Sequence, residues 1–136
     1  MKKLTVSIGI PAYNEAANIK QLLTSLLAQK RTNFNLKEII VICDGCTDDT
    51  VKIIEGIKSK LISLHVGNTR MGQQFRQNQI VKLFKGNVLV LVEADTLPYD
   101  QFTISELIKP YLLKDSNKIG MVVGLDQDIK PKTFFE

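Results

Sequence analysis

The sequence predicts an α/β protein built on a doubly wound, mostly parallel, Rossmann-like sheet. Apolar, β-branched segments alternate with amphipathic segments along the 136 residues, which is the order expected of strands joined by helices. The strand segments are almost continuously apolar, as is typical of parallel strands that are buried on both faces. Because crossovers between parallel strands are right-handed, helices should cover both faces of the sheet.

Five strands and four helices are predicted in strict alternation. The strands are expected at residues 4–10, 38–44, 61–66, 87–93 and 119–125. Pro110 should kink or shorten the fourth helix, because its ring cannot continue the helical hydrogen bonds. The first helix should start at Asn14 or Glu15, and the second should be capped by Thr47 or Asp48. The third helix should span residues 71–84.

The length and composition indicate one soluble domain over residues 1–136. A net charge of +4 mildly favours anionic partners, but the lysines are scattered and no basic run is interleaved with aromatic residues. Nucleic acid is therefore not expected as a partner. The apolar run after Lys3 breaks at Pro11, which is too early for a signal peptide, and no segment approaches the ~20 apolar residues of a membrane span. We expect a cytoplasmic location.

Acidic residues gather directly after three of the predicted strands. The segments are PAYNE at 11–15, DGCTDDT at 44–50 and EADTLPYD at 93–100. The carboxyl ends of parallel strands meet at one edge of a sheet, and ligands bind beyond that edge. Any one cluster could be a helix cap. Three clusters together favour a shared binding site.

Glu93 and Asp95 form the clearest candidate for a metal site. In an extended segment, residues i and i+2 point to the same side and lie roughly 6.5 Å apart. Two such carboxylates suit Mg²⁺ or Mn²⁺, which would offset charge on a departing diphosphate. A second Asp-x-Asp, at Asp126 and Asp128, is interpreted as a surface loop. Neither a dinucleotide-binding nor a P-loop glycine pattern is present, which argues against a nicotinamide enzyme or a P-loop NTPase.

Two cysteines, Cys43 and Cys46, flank Asp44 and Gly45. A structural zinc site needs about four ligands, and the chain has no other cysteine and a single histidine. A redox pair is disfavoured because the strand pattern buries Cys43 in the sheet. The segment is better interpreted as a ligand-binding loop in which Gly45 lets the backbone pass close to a ligand.

Four segments in order resemble glycosyltransferase family 2, whose members have the A-type, nucleotide-diphospho-sugar transferase fold. VSIGIPAYNEAANIKQLLTSLLAQ is similar to the family's opening strand, Pro-x-x-Asn-Glu turn and first helix. IIVICDGCTDDT resembles its Asp-Gly-Ser-x-Asp-x-Thr loop, and RMGQQFRQN resembles its Arg-x-Gly-x-x-x-Ala-x-Asn segment. VLVLVEADTLPYD resembles its strand and Asp-x-Asp motif.

The resemblance implies roles for matching positions. Asp44 would accept a hydrogen bond from the base, Asp95 would be the principal metal ligand, and Glu93 would contact ribose or metal-bound water. Arg70 and Asn78 would lie near the donor sugar or its phosphates. The full implied nucleotide and donor set is Pro11, Tyr13, Glu15, Asp44, Gly45, Arg70, Asn78 and Glu93, with Asp95 and Glu93 at the metal.

The implied reaction is an inverting, metal-dependent transfer from a nucleotide-diphospho-sugar to an unknown acceptor. A UDP-sugar is favoured, and a GDP-sugar is the alternative. Two positions depart from the family pattern: Glu93 replaces the usual aspartate, and Arg76 stands where a small residue is usual. The family's catalytic base is expected beyond Glu136, so this chain would supply donor and metal binding without transferring sugar by itself.

Two other functions remain open from the sequence. A nucleotidyltransferase would share the sheet and a metal carboxylate pair, although its usual basic, glycine-rich first loop is replaced here by PAYNEA. A non-catalytic nucleotide-binding or assembly module would use the same sheet without chemistry. Self-association is expected where a truncated sheet exposes edge strands or apolar surface. Membrane association would depend on segments outside these residues.

Overall fold

The structure, a computed structural model, describes residues 3–113. The predicted strand at 119–125 and the acidic pair Asp126 and Asp128 lie outside the described residues. Within the described range strands and helices alternate as predicted. The elements are β1 (Leu4–Ala12), α1 (Ile19–Leu27), β2 (Phe34–Asp44), α2 (Thr50–Glu55), β3 (Ile62–Gly67), α3 (Gln73–Leu83), β4 (Val88–Leu91) and α4 (Thr103–Ile108), followed by a short 3₁₀ helix (Lys109–Leu112).

The four strands form one parallel sheet in the order β3-β2-β1-β4. The chain moves outward from β1 through β2 to β3 and then returns to the opposite side of β1 for β4. This change of direction confirms the doubly wound, Rossmann-like prediction. It also defines one edge, at the carboxyl ends of the strands, where a ligand is expected.

Helices cover both faces of the sheet because the strand residues alternate in direction. On one face, residues such as Ile8 and Val41 belong to a buried cluster with residues of α1, α2 and α4. On the other face, Ile40 and Ile42 pack with Ile80 of α3. At the end of β2 this alternation separates neighbours, since Cys43 joins the first face and Asp44 reaches α3 on the second.

The fourth strand ends earlier than the sequence predicts. β4 stops at Leu91 rather than at Glu93. Its last bond to β1 runs from the N–H of Val92 to the carbonyl oxygen of Gly9, at 2.9 Å. Pro11, two residues farther along β1, has no N–H to continue the ladder. Residues 93–96 therefore form a turn, in which the N–H of Thr96 donates to the oxygen of Glu93 at 3.1 Å.

The helix boundaries also differ from the predictions. α1 begins at Ile19, and it is preceded by a bend at Asn14, whose φ is 50°, and by a turn closed between Glu15 and Asn18. Pro110 shortens α4 as predicted, and the chain continues as the 3₁₀ helix. Among the helices within residues 3–113, none has both the length and the apolar character needed to cross a membrane.

Gly9 sets the distance between β1 and α3. A Cβ atom built on Gly9 would lie 2.4 Å from Cγ2 of Ile80, whose side chain is fully buried. Packed carbon atoms normally stay about 3.5–4.0 Å apart. The absence of a side chain at Gly9 therefore allows α3 to lie close against the sheet.

Replacing Gly9 with alanine is expected to lower the free energy of unfolding by about 1–3 kcal/mol, the usual effect of overpacking a dense core. Chemical denaturation of the two proteins measures the difference. In an Ile80→Ala background, which removes the facing methyl group, the same substitution should destabilise the protein much less. An unchanged penalty in that background would show that the two positions do not clash.

Candidate functional site

The loops that follow β1 and β2 are joined through Asn14. Its side-chain oxygen accepts the backbone N–H groups of Thr47 at 2.8 Å and Asp48 at 3.2 Å. In return, the N–H of Ala16 donates to Asp48 Oδ2 at 3.2 Å, and the N–H of Glu15 donates to the Thr50 hydroxyl at 2.9 Å. These reciprocal bonds hold the PAYNE segment against the DGCTDDT segment.

The carboxylate of Asp48 is occupied by hydrogen bonds that hold these two loops together. The Thr50 hydroxyl is the main cause that holds the pKa of Asp48 below 3.8; burial opposes this effect, and the N–H groups of Thr50 and Ala16 add to it. Helix α2 has Asp49 at its N-cap position, without a side-chain cap. The predicted capping residues, Thr47 and Asp48, instead connect the two loops, although Asp48 Oδ1 also accepts the N–H of Thr50 at 3.0 Å.

Both cysteines have structural roles: Cys46 bonds to the loop after β1, and Cys43 packs in the core. The thiol of Cys46 donates to the carbonyl oxygen of Ala12 and accepts the N–H of Asn14, both at 3.4 Å. Cys43 is fully buried. Burial, together with the nearby Cys46 and Asp48, raises the pKa of the Cys43 thiol to about 12. At neutral pH the Cys43 thiol is therefore protonated, and Cys43 belongs to the core.

Asp44, the last residue of β2, accepts hydrogen bonds from three donors. Its Oδ1 accepts the N–H of Met71 at 2.6 Å and Nε–H of Arg76 at 2.8 Å. Its Oδ2 accepts the N–H of Gly72 at 2.9 Å. These donors come from the loop after β3 and from α3, so Asp44 ties three segments together.

The charge of Asp44 is stabilised in spite of its burial. The side chains of Asp44 and Arg76 are only 5% and 7% exposed. Burial by itself raises the pKa of Asp44. The N–H donors of Met71, Arg76 and Gly72 and the charge of Arg76 outweigh burial, so the pKa lies below its ordinary value of 3.8.

Each of the three guanidinium nitrogens of Arg76 donates a hydrogen bond. Besides its ion pair with Asp44, Nη1 donates to Gln79 Oε1 at 2.9 Å and Nη2 donates to the carbonyl oxygen of Thr69 at 2.7 Å. A Cβ atom on Gly67 would lie 2.1 Å from Nη2, so only glycine leaves room for the guanidinium. The sequence marks Arg76 only as a departure from the family pattern, and the available signal of its role is a basic residue in the first turn of the helix that follows β3.

Gly45 brings the loop after β2 into contact with the loop after β3. Its φ is +66°, a conformation that side chains disfavour, and a Cβ atom here would lie 2.6 Å from the backbone nitrogen of Arg70. The N–H of Gly45 donates to the carbonyl oxygen of Gly67 at 3.0 Å. The backbone at Gly45 thus passes close to Thr69 and Arg70, and the close approach to a ligand stays a prediction.

Tyr13 and Arg70 meet above this junction. The guanidinium carbon of Arg70 lies 3.9 Å from the centre of the Tyr13 ring, which is a cation–π contact. Arg70 is exposed and Tyr13 is half-buried. The structure thus brings four predicted site residues together, namely Tyr13, Asp44, Gly45 and Arg70.

The remaining predicted site residues are less connected. Pro11 is buried in β1, and Glu15 accepts the side-chain amide of Asn18 at 3.0 Å. Glu93 and Asp95 are both exposed in the turn that follows β4, and within residues 3–113 neither carboxylate has a hydrogen bond or an ion pair. Because this segment is a turn, the expected extended geometry of the pair is wrong. Asn78 is exposed on α3.

Arg76→Ala is expected to lower the free energy of unfolding by about 3–5 kcal/mol, because it leaves Asp44 buried without its counter-charge. Lys109→Ala provides the control, since it breaks the exposed pair between Lys109 and Glu106. That control should change the free energy of unfolding by about 0.5 kcal/mol or less. Equal effects of the two substitutions in urea denaturation would contradict the importance of the buried pair.

The same variant should change the acid sensitivity of the fold. Since the folded-state pKa of Asp44 lies below 3.8, its contribution to stability is complete above that pH and is lost as the pH falls through the folded-state value. Without Arg76 the folded-state pKa rises toward the unfolded-state value, so the variant should lose less stability on acidification than the wild type. Urea denaturation at several values between about pH 7 and about pH 3 measures this difference in slope. Parallel curves for the two proteins would argue against it.

Comparisons with known proteins agree with this architecture. The sequence pattern of Glycosyl transferase family 2 matches residues 7–129. Poly-beta-1,6-N-acetyl-D-glucosamine synthase from Staphylococcus aureus (strain COL) is 31% identical over 120 residues, which cover 88% of this chain and 28% of the synthase. The chain thus spans less than a third of the length of that relative.

Two solved structures share the fold. A mannosyltransferase from Pyrobaculum calidifontis, PcManGT, in complex with GDP-Man and Mn²⁺, superposes with a TM-score of 0.75 at 23% identity, over 84% of this chain and 34% of that one. TarS from S. aureus, in complex with UDP-GlcNAc, superposes with a TM-score of 0.69 at 25% identity, over 80% of this chain and 32% of that one. From its sequence pattern and its fold, the chain belongs to glycosyltransferase family 2.

Proposed function

We propose that this chain binds a nucleotide-diphospho-sugar and a divalent metal at the carboxyl edge of its sheet, as the donor site of an inverting glycosyltransferase. The observation that carries the proposal is the junction of Tyr13, Asp44, Gly45 and Arg70, described above. It combines an aromatic ring, a carboxylate that stays ionised and an exposed guanidinium. Those are groups suited to a base and to phosphates.

The base would stack on Tyr13 and donate a hydrogen bond to Asp44. An aromatic side chain is a general platform for a nucleobase, and its ring face is at present covered by Arg70. Arg70 is exposed and would turn from the ring toward the phosphates as the base enters. The low pKa of Asp44 keeps it a hydrogen-bond acceptor at neutral pH.

The diphosphate and the metal would lie beside β4. Glu93 and Asp95 offer oxygen ligands of the type that Mg²⁺ and Mn²⁺ prefer, and no described residue competes for either carboxylate. Two carboxylates are the donor type that such an ion takes together with phosphate oxygens and water. When bound, the metal would offset the charge of the departing diphosphate. The Mn²⁺ in the complex of the Pyrobaculum enzyme supports the same class of ion here.

The rest of the reaction would need groups beyond the described site. The chain spans 28% of the length of the S. aureus synthase. We expect the described residues to account for donor binding alone. A chain that released free pyrophosphate from a nucleoside triphosphate would instead be a nucleotidyltransferase.

Asp95→Asn is expected to abolish the gain in UDP affinity that Mn²⁺ provides, because an amide lacks the charge that holds the cation. Isothermal titration of UDP with and without Mn²⁺ measures this gain. Glu55→Gln, at the far end of α2 from the edge, removes one exposed carboxylate as a matched control and should keep the full gain. A metal-dependent gain that persists in Asp95→Asn would exclude Asp95 as the principal ligand.

Tyr13→Ala is expected to weaken UDP binding about tenfold or more, since stacking on an aromatic side chain contributes about 1–3 kcal/mol per base. Tyr13→Phe keeps the ring and should bind UDP nearly as well as the wild type. The same titration reports both. If the alanine and phenylalanine variants bind equally well, the base does not stack on this ring.

A further inference from the structure

The hydrogen bonds of Asp44 leave it little capacity for a ligand. A carboxylate has about four acceptor positions, two on each oxygen. On Oδ1 both are filled, by the N–H of Met71 and by Nε–H of Arg76. On Oδ2 one is filled, by the N–H of Gly72. Asp44 can therefore accept one more donor, and only on Oδ2.

Arg76 cannot easily give up its position on Oδ1. Its guanidinium is buried, and the two remaining nitrogens are bonded to Gln79 and Thr69. The absence of a side chain at Gly67 provides the space that the guanidinium occupies. Moving Arg76 away would leave Asp44 buried with an uncompensated charge, which is strongly unfavourable. In the folded site, Arg76 therefore keeps its acceptor position on Oδ1 of Asp44 occupied.

Nucleobases differ in the number of donors that they offer to a carboxylate. The hydrogen-bonding edge of uracil has one N–H, at N3, between two carbonyl acceptors. Guanine has two adjacent donors, N1–H and the N2 amino group, and these match both oxygens of one carboxylate. A carboxylate with one free position therefore pairs with the single N–H donor of uracil and leaves one guanine donor unpaired, which is costly in a desolvated site.

We propose that Arg76 is a specificity-determining residue that acts through Asp44. By filling Oδ1 it restricts Asp44 to one further hydrogen bond and so selects uridine over guanosine nucleotides. The inference rests on the proposed function, since it requires that a base reaches Asp44.

The test compares UDP and GDP binding, in the presence of Mn²⁺, by wild type and by variants of Arg76. Wild type should prefer UDP by about tenfold or more, as expected for one unpaired donor. Arg76→Met keeps most of the side-chain volume but frees one position on Oδ1, so the preference should fall about tenfold through tighter GDP binding. Arg76→Lys retains a charged donor for Oδ1 and should restore the preference. Lys82→Ala, which removes an exposed charge from the same helix, should not alter it.

A wild-type measurement keeps the test valid if a variant does not fold. The diphosphate of 3-methyluridine lacks the N3–H and should bind about tenfold or more weakly than UDP. Equal affinity for UDP and its methylated form, or equal affinity of wild type for UDP and GDP, would overturn the inference. A folded Arg76→Met protein with an unchanged UDP preference would also overturn it. Failure of wild type to bind either nucleotide would overturn the proposed function itself.

Discussion

The carboxylate of Asp44 is the group on which the edge of this sheet depends. A buried charge must be compensated, and Asp44 obtains its compensation from two backbone N–H groups and the side chain of Arg76. Those donors belong to different parts of the chain, so the requirement fixes the loop after β3 and the first turn of α3 relative to β2. The alternation of β2 makes this possible, because it directs Asp44 toward α3 while Cys43 enters the opposite core.

Much of the fold could be predicted because its signals are local. The apolar strands, the stripe of α1 and the shortening at Pro110 depend on residues close in sequence. The predicted end of β4 was wrong for the opposite reason, since it depends on Pro11 in the neighbouring strand. A single strand pattern cannot reveal where its partner stops donating hydrogen bonds. The strand predicted at 119–125 stays a prediction.

The candidate site could be predicted in part. Its acidic residues are predicted because three acidic clusters follow strands, and Arg70 and Asn78 are implied by the family resemblance. The partners of each carboxylate, in contrast, depend on loop conformations. Asp48 and Asn14 turned out to join two loops, and Asp44 and Arg76 are paired across 32 positions of sequence. Cys46 bonds to the backbone of the first loop, so the segment between the cysteines is organised around its aspartate rather than its sulfurs. The roles of Glu93, Asp95 and Asn78 in binding stay predictions.

The most direct measurement is a two-dimensional ¹⁵N–¹H NMR titration of the labelled chain with UDP and Mg²⁺, which reports every amide and the Nε–H of Arg76. A nucleotide site at this edge predicts that the largest shifts fall at residues 13–15, 44–46 and 70–72, with the Arg76 signal still protected from exchange. Shifts confined to the opposite edge of the sheet, or an unperturbed spectrum at saturating UDP, would contradict a nucleotide site built around Asp44.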